Sequence, residues 1–282
     1  MTCRSRTAGL ALRLTAWLAV ACVALTAAVL SAQGTAGQAE LGRQFAPTGT
    51  LRAGINYNNP LLARRDPASG ELSGVAVDIA REVGRRLALP VQLLPYESAG
   101  RMTEAVKAQA WDLAFLGIDP ARATEIDFTA AYIELEGTYL VPAGSPLRTV
   151  DEVDRAGIRV AVTANSAYDL FLSRAITRAQ LVRVDNTPKS IEVMVDQKLD
   201  AVAAVKTALV AASRTLPGSR VLPGHFMTIP QAAAVPKGRP ESARFARQLI
   251  EELKQSGFVA DALKRHGLGP DDAIVAPAVP VP

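Results

Sequence analysis

The sequence predicts an α/β fold made of two similar units. Patterns typical of strands and helices alternate along most of the chain. The segment Trp111–Ile118 (WDLAFLGI) is apolar throughout, as expected for a strand of a parallel sheet with helices on both faces. The alternation stops at a segment that contains Pro142, Gly144 and Pro146, and then restarts. These observations favour two α/β units joined by extended crossings.

The first segment, residues 1–32, is predicted to be a targeting signal outside the fold. Three arginines precede an uncharged apolar run, Leu14–Leu30, and small residues followed by a polar stretch come directly after it. This order is typical of a secretory signal peptide, with cleavage expected between residues 31 and 39 and export of the mature protein. An uncleaved membrane anchor is the alternative, because the run approaches the length that spans a bilayer.

Composition excludes several classes of protein. The 282 residues are 49% hydrophobic and 21% charged, which argues against a disordered or fibrous chain. Three of the 31 basic residues and none of the 27 acidic residues lie in the signal, so the rest of the chain carries a net charge of only +1 and nucleic-acid binding is not expected. Cys3 and Cys22 also lie in the signal, and His225 and His266 are the only histidines. We therefore predict no disulfide, no metal site and no cofactor.

The first unit follows a polar linker that extends to about Thr48. Apolar runs predict its strands, and apolar residues at helical spacing predict its helices. The strands are expected at Leu51–Asn56, Val91–Pro95 and Trp111–Ile118, and the helices at Val75–Leu87 and Met102–Gln109. This βαβαβ order implies parallel strands with right-handed crossovers.

The second unit repeats the alternation after a short strand at Thr138–Val141. Its strands are predicted at Ile158–Thr163, Leu181–Val184, Ala201–Val205 and Gln231–Val235. Its helices are predicted at Asn165–Thr177, Ser190–Gln197 and Lys206–Ser213. Two further helices, Pro240–Ser256 and Val259–Arg265, close the fold, and the Pro-rich tail AIVAPAVPVP is expected to be disordered or extended.

One arginine stands where anions bind in open α/β sheets. After the strand Trp111–Ile118, Asp119 is predicted to be an N-cap, Pro120 the first helical residue and Arg122 part of the first turn. A guanidinium and free backbone N–H groups would then meet at the carboxyl end of a strand, which suits an anionic ligand. The alternative is that Arg122 is an ordinary solvated helix residue.

Several sequence blocks, in order, resemble the family 3 extracellular solute-binding proteins, the receptors of polar amino-acid ABC transporters. They include GTLRAGINYNNPL, GELSGVAVDIAREV and QAWDLAFLGIDPARATEIDFTAAY, and the resemblance extends from about Gly49 to Gly269. It implies an α/β periplasmic binding protein fold (type II), with two lobes joined by a two-crossing hinge and the ligand between them. Lobe one would hold residues 46–141 and 234–282, and lobe two residues 142–233.

The resemblance also implies the function. The chain would be a periplasmic receptor of an ABC importer, would close on a small solute that carries a carboxylate, and would present the closed shape to the membrane subunits. Because the lobes must move freely, a monomer is expected. The alternatives are a periplasmic enzyme of the cyclohexadienyl dehydratase type, since Glu152–Lys198 is similar to the second lobe of those enzymes, and a ligand-sensing subunit. Catalysis would need a proton donor in the cleft.

In lobe one, the resemblance places Arg122 as the clamp of the ligand carboxylate, because it stands four residues before Ile126. Gly117 matches the small residue whose backbone faces the ligand. Asp119 would meet a ligand amine or simply cap its helix. In the first loop, Tyr57 is the aromatic residue available as a wall, and Asn58 lies beside it.

In lobe two, the resemblance places the turn Asn165-Ser166-Ala167 against the ligand. Asn165 stands where the family has glycine and can adopt the left-handed conformation. Asn165 and Ser166 have two possible roles, ligand contact and helix capping. Tyr168 is either a second wall or part of the core.

Val205 is the main departure from the family. It occupies the position of an aspartate that binds the ligand's α-ammonium, so either another acid serves or the ligand has no amine. Lys206 then has two interpretations, a contact to a second anionic group and a solvated residue at a helix start.

Overall fold

The computed structural model describes residues 37–280. The predicted signal, residues 1–32, lies outside this range. Residues 37–45 form a helix, α1, where the sequence predicted a polar linker. The helix is held by apolar packing, since Phe45 is fully buried and meets Phe245 edge-on at 6.0 Å between ring centroids. Within residues 37–280 no helix is both long and apolar enough to span a membrane.

The elements of the first unit follow in order. They are β1 (Leu51–Asn56), β2 (Arg64–Arg65), β3 (Leu72–Ser73), α2 (Val75–Leu87), β4 (Val91–Tyr96), α3 (Ala99–Glu104) and β5 (Leu113–Gly117). The bounds of β1 and α2 are those predicted. The helix predicted at Met102–Gln109 instead begins at Ala99, because Ser98 caps it by accepting a hydrogen bond from the Arg101 N–H at 3.3 Å, and it ends at Glu104.

A short 3-10 turn, Arg122–Thr124, replaces the predicted α-helix after β5. The chain then enters β6 (Ile126–Val141), a strand of 16 residues of which only the last four were predicted. The remaining elements are β7 (Arg159–Thr163), α4 (Ala167–Ala175), β8 (Gln180–Val184), α5 (Thr187–Asp196), β9 (Ala201–Val205), α6 (Lys206–Ser213), β10 (Arg220–Val221), β11 (Met227–Pro236), α7 (Pro240–Gln255), α8 (Phe258–Arg265) and β12 (Ile274–Val275).

Ten strands form one mixed sheet in the order β4-β1-β5-β11-β6-β9-β7-β8, with β10 and β12 also paired to β6, and β2 and β3 form a separate hairpin sheet. We call lobe one the part built on β4, β1 and β5, and lobe two the part built on β9, β7 and β8. Within each lobe these three strands are parallel, as predicted.

The long antiparallel pair β6 and β11 connects the lobes. Ala114–Gly117 of β5 pairs with β11, and Gly137–Leu140 of β6 pairs with β9. Both crossings therefore run through this pair, near residues 134–136 and 230. The lobe boundaries at 141/142 and 233/234 stay a prediction.

The tail is extended and not disordered up to residue 280. Its strand β12 pairs with Ile133 and Glu134 of β6, and the Ala276 N–H donates to the Tyr132 carbonyl at 3.1 Å. The apolar core runs through both lobes, and Trp111, Tyr132 and Phe115 are among its largest buried side chains.

Candidate functional site

A cleft between the two lobes collects the carboxyl ends of the parallel strands. It lies where ligands bind in open α/β sheets. From lobe one it is lined by residues that follow β1, β4 and β5, and from lobe two by residues that follow β7 and β9. The polar lining residues are Asn56, Asn58, Asn59, Glu97, Ser98, Arg122, Thr163, Ser166, Tyr168, Thr187 and Gln231, and the others are Leu62, Ala99, Phe115, Leu116, Gly117, Ala167, Val205, Ala208 and Ile229.

Arg122 lies at the centre of this cleft and contacts both lobes. Its side chain follows a tight turn, in which Asp119 Oδ1 accepts from the Ala121 N–H at 2.8 Å. Nη1 donates to the Gly117 carbonyl of its own lobe at 2.8 Å, and Nη2 donates to the Asn165 carbonyl of lobe two at 2.7 Å. The guanidinium is thus held across the closed cleft.

The charge of Arg122 is buried without a matching anion. The residue is 2% exposed, its Nε has no hydrogen-bond partner among residues 37–280, and no carboxylate in that range forms an ion pair with it. Burial lowers the pKa of Arg122 to about 10, so it stays protonated at neutral pH. An unpaired buried guanidinium is poised for a ligand anion, because its planar fork meets a carboxylate with two parallel hydrogen bonds.

The turn of lobe two brings further polar groups to the cleft. Asn165 adopts the left-handed conformation (φ 56°), as its side chain permits. Ser166 caps α4 by accepting from the Asp169 N–H at 3.0 Å, and it also lines the cleft. Both roles considered for Ser166 are therefore compatible with its position, and the Tyr168 hydroxyl lies in the same wall, 3.1 Å from Thr187 Oγ1.

Six of the ten predicted site residues line the cleft: Asn58, Gly117, Arg122, Ser166, Ala167 and Tyr168. Asn165 adjoins it through its carbonyl, which accepts from Arg122. The other three are placed elsewhere, as described next.

Asp119 is not among the lining residues, although its charge acts on Arg122. Its carboxylate is nearly buried and accepts from Arg174 of lobe two at 2.9 Å, so it forms an ion pair between the lobes. Tyr57 also lies outside the lining and sits beneath the Arg65 guanidinium, 5.7 Å from the ring centroid.

Lys206 lines a second cavity next to the crossing strands. Its Nζ donates to Glu136 at 2.6 Å, and His225 Nδ1 lies 3.2 Å from the same carboxylate. The hydrogen bond from Lys206 is the largest cause of the lowered pKa of Glu136. These contacts favour neither of the two interpretations considered for Lys206.

Sequence reasoning missed several lining residues that carry a recognisable signal. Asn56 and Thr163 are the last residues of β1 and β7, and Ser98 and Thr187 stand at helix starts after strands. Gln231 is a single amide in the otherwise apolar run IPQAAAV of β11. A polar residue at the carboxyl end of a predicted strand, or alone inside a buried one, would have identified them.

Comparisons with known proteins agree with this geometry. Residues 51–269 match the profile of the bacterial extracellular solute-binding proteins, family 3. The ABC transporter glutamine-binding protein GlnH of Bacillus subtilis (strain 168) is 21% identical over 216 residues, which are 75% of this chain and 79% of the relative.

Solved structures share the fold. The cysteine-binding protein from Campylobacter jejuni matches 84% of this chain and 99% of its own, with a TM-score of 0.72 and 21% identity. The ancestral amino acid-binding protein AncCDT-1, a precursor of cyclohexadienyl dehydratase, matches 80% of this chain and 98% of its own, with a TM-score of 0.68 and 18% identity. The architecture is that of the type II periplasmic binding proteins.

Proposed function

The chain belongs to the bacterial extracellular solute-binding proteins of family 3, and we propose that it captures a small carboxylate-bearing solute by closure of its two lobes. The solute would be an amino acid or a related organic acid. The observation that carries this proposal is Arg122, a buried cation that contacts both lobes and forms no ion pair in the described part of the chain. An anion in the cleft would supply the missing charge.

Closure would work as a two-state equilibrium. Groups from β5 and from the α4 turn meet at Arg122 only when the lobes are together, so a ligand that contacts both favours the closed state. The closed shape would then be read by the membrane subunits of an ABC importer. The glutamine-binding relative is itself an ABC transporter protein, which supports this partnership.

The proposed setting is the periplasm. The predicted signal at residues 1–32 supports export, and the family is extracellular. A monomer suits the mechanism, because a partner that bridged both lobes would resist their movement.

A receptor is favoured over an enzyme by the carboxylates of the cleft. A dehydratase would need a proton donor near the substrate. Within residues 37–280, the one carboxylate in the lining is Glu97, which is exposed, while Glu134 and Glu136 line the second cavity.

A thermal-shift screen against amino acids, oxo acids and hydroxy acids tests the function. We expect a ligand that raises the melting temperature of the wild type, with the shift abolished by Arg122→Ala. Arg148→Ala is the matched control, because Arg148 is exposed and remote from the cleft lining. A shift that survives Arg122→Ala would exclude the proposed site.

A further inference from the structure

The buried part of the cleft presents a positive charge, and this charge favours an anionic solute. This inference rests on the proposed function and concerns the same site. Arg122 is the one Lys or Arg among the lining residues that the structure describes. Its Nε still lacks a partner although Nη1 and Nη2 are bonded, so the guanidinium retains a donor for an anion.

Each acidic group near the cleft either is paired with an arginine or is exposed to solvent. Asp119 is paired with Arg174. Asp169, which is buried, accepts from the Asn165 N–H at 2.8 Å and from Arg183 Nε at 3.0 Å. Glu97 is the one carboxylate among the described lining residues, and it is exposed to solvent.

The groups that would surround an ammonium next to the ligand carboxylate are unsuitable for it. The Gly117 and Asn165 carbonyls, which could accept from an amine, each accept from Arg122, so an ammonium bound to them would lie directly beside the guanidinium. The lining of lobe two also includes the apolar side chains of Val205 and Ala208. A second cation beside Arg122 would be repelled by the guanidinium, and these apolar side chains would offer it no hydrogen bond.

Neutral polar groups are well represented instead. The amides of Asn59 and Gln231 and the hydroxyls of Thr163, Ser166 and Tyr168 line the cleft. An amide or a hydroxyl can donate to a carbonyl oxygen, and it can donate to or accept from a hydroxyl group. The lining therefore complements a carboxylate that carries a carbonyl or hydroxyl group.

We propose that the solute is a carboxylate without an amine, of the 2-oxo or 2-hydroxy acid class. Arg122 would bind its carboxylate, and the neutral amides and hydroxyls would bind its 2-oxygen. Val205 then acts as a specificity-determining residue, because an apolar side chain at the end of β9 accepts the uncharged part of the ligand and offers nothing to an ammonium.

Isothermal titration calorimetry with matched compounds tests this class. Each set keeps one side chain and changes only the 2-substituent: pyruvate, L-lactate and L-alanine, and phenylpyruvate, L-phenyllactate and L-phenylalanine. We expect the oxo or hydroxy acid of at least one set to bind at least tenfold more tightly than its amino acid. Val205→Asp should reverse the order, whereas Val205→Asn, which has the same shape without the charge, should keep it.

Four outcomes would overturn the proposal. If wild-type protein binds an amino acid as tightly as its oxo and hydroxy analogues, and Arg122→Ala abolishes that binding, the class is wrong while the proposed function stands. If no set binds, or if binding survives Arg122→Ala, the proposed ligand class and the proposed function are both wrong. Ala208→Asp provides a second acidic variant of the same wall if Val205→Asp does not fold, and an unchanged order in that variant would also overturn the proposal.

Discussion

Burial gives Arg122 its function, and burial also has a cost. Lowering the pKa from 12.5 to about 10 corresponds to a cost on the order of 3 kcal/mol for keeping the charge in the closed cleft. Because the pKa is lowered, this cost is fully present at neutral pH and disappears only as the pH rises above about 10. A ligand anion would remove it at neutral pH. The same residue therefore opposes closure without ligand and favours it with ligand.

The Asp119–Arg174 ion pair connects the lobes beside this site and should contribute to affinity. Asp119→Asn keeps the acceptor for the Ala121 N–H but removes the charge that Arg174 meets. Since the Arg174 side chain is 53% exposed, we expect only about 0.5–1 kcal/mol, a two- to fivefold weaker affinity for the solute.

A double-mutant cycle measured by isothermal titration calorimetry would check this predicted loss of affinity. Arg174→Ala should weaken binding as much as Asp119→Asn, and the double variant should be no weaker than either. Arg178→Ala, an exposed arginine of the same lobe, is the control and should bind as the wild type does. Additive losses would show that the two residues act separately.

At the level of single elements, Gly100 in α3 lies directly against lobe two. A Cβ on Gly100 would lie 2.6 Å from the Ala164 carbonyl oxygen and 2.9 Å from Asn165 Cβ, both in lobe two. Because the first of these atoms is backbone, Gly100→Ala should prevent full closure. We expect at least a tenfold loss of affinity, and an open form whose stability is unchanged or higher by up to about 1 kcal/mol.

Calorimetry and thermal melting of Gly100→Ala separate these effects. Gly42→Ala is the matched control, since it lies in α1 and its nearest neighbour would be at an ordinary 3.6 Å. Wild-type affinity in Gly100→Ala would mean that the ligand-bound lobes stay further apart than in this structure.

The C-terminal tail is attached to α7 by a buried ion pair. Lys254 Nζ lies 2.7 Å from Glu251 and donates to the carbonyls of Ala131 and Pro277, while the Val279 N–H donates to Glu251. Glu251→Gln should destabilise the protein by about 3 kcal/mol, because it leaves Lys254 without its counter-charge. Differential scanning calorimetry would measure the loss, and Glu251→Gln with Lys254→Met should recover part of it.

The sequence predicts the elements whose bounds follow from local patterns, and it predicts less well those that pair with distant parts of the chain. The bounds of β1, α2, β9 and α6 follow from local apolar patterns. Strand β6 could not be predicted in full, because polar residues such as Asp127 and Glu134 interrupt its pattern and its partners come from both lobes.

The site residues likewise divide into those with a local sequence signal and those whose position depends on the assembled fold. Arg122 was found because a tight turn after a buried strand has a local signature. The position of Lys206 depends on the direction of α6 relative to β6, which only the assembled fold defines.

At the level of the whole molecule, the cleft is nearly filled in its closed form. Its cavity is about 40 Å³, which holds roughly three waters at about 10–15 Å³ each. The lobes must therefore separate to admit a ligand. The buried charge of Arg122 supports the same conclusion, since closure without an anion is unfavourable.

Small-angle X-ray scattering at neutral pH tests this equilibrium. We expect the wild type to be more extended without ligand than with it, because only the ligand offsets the cost of burying Arg122. Arg122→Met removes that cost while keeping much of the side-chain volume, so the ligand-free variant should be as compact as the liganded wild type. An extended Arg122→Met protein would mean that the charge of this residue does not hold the cleft open.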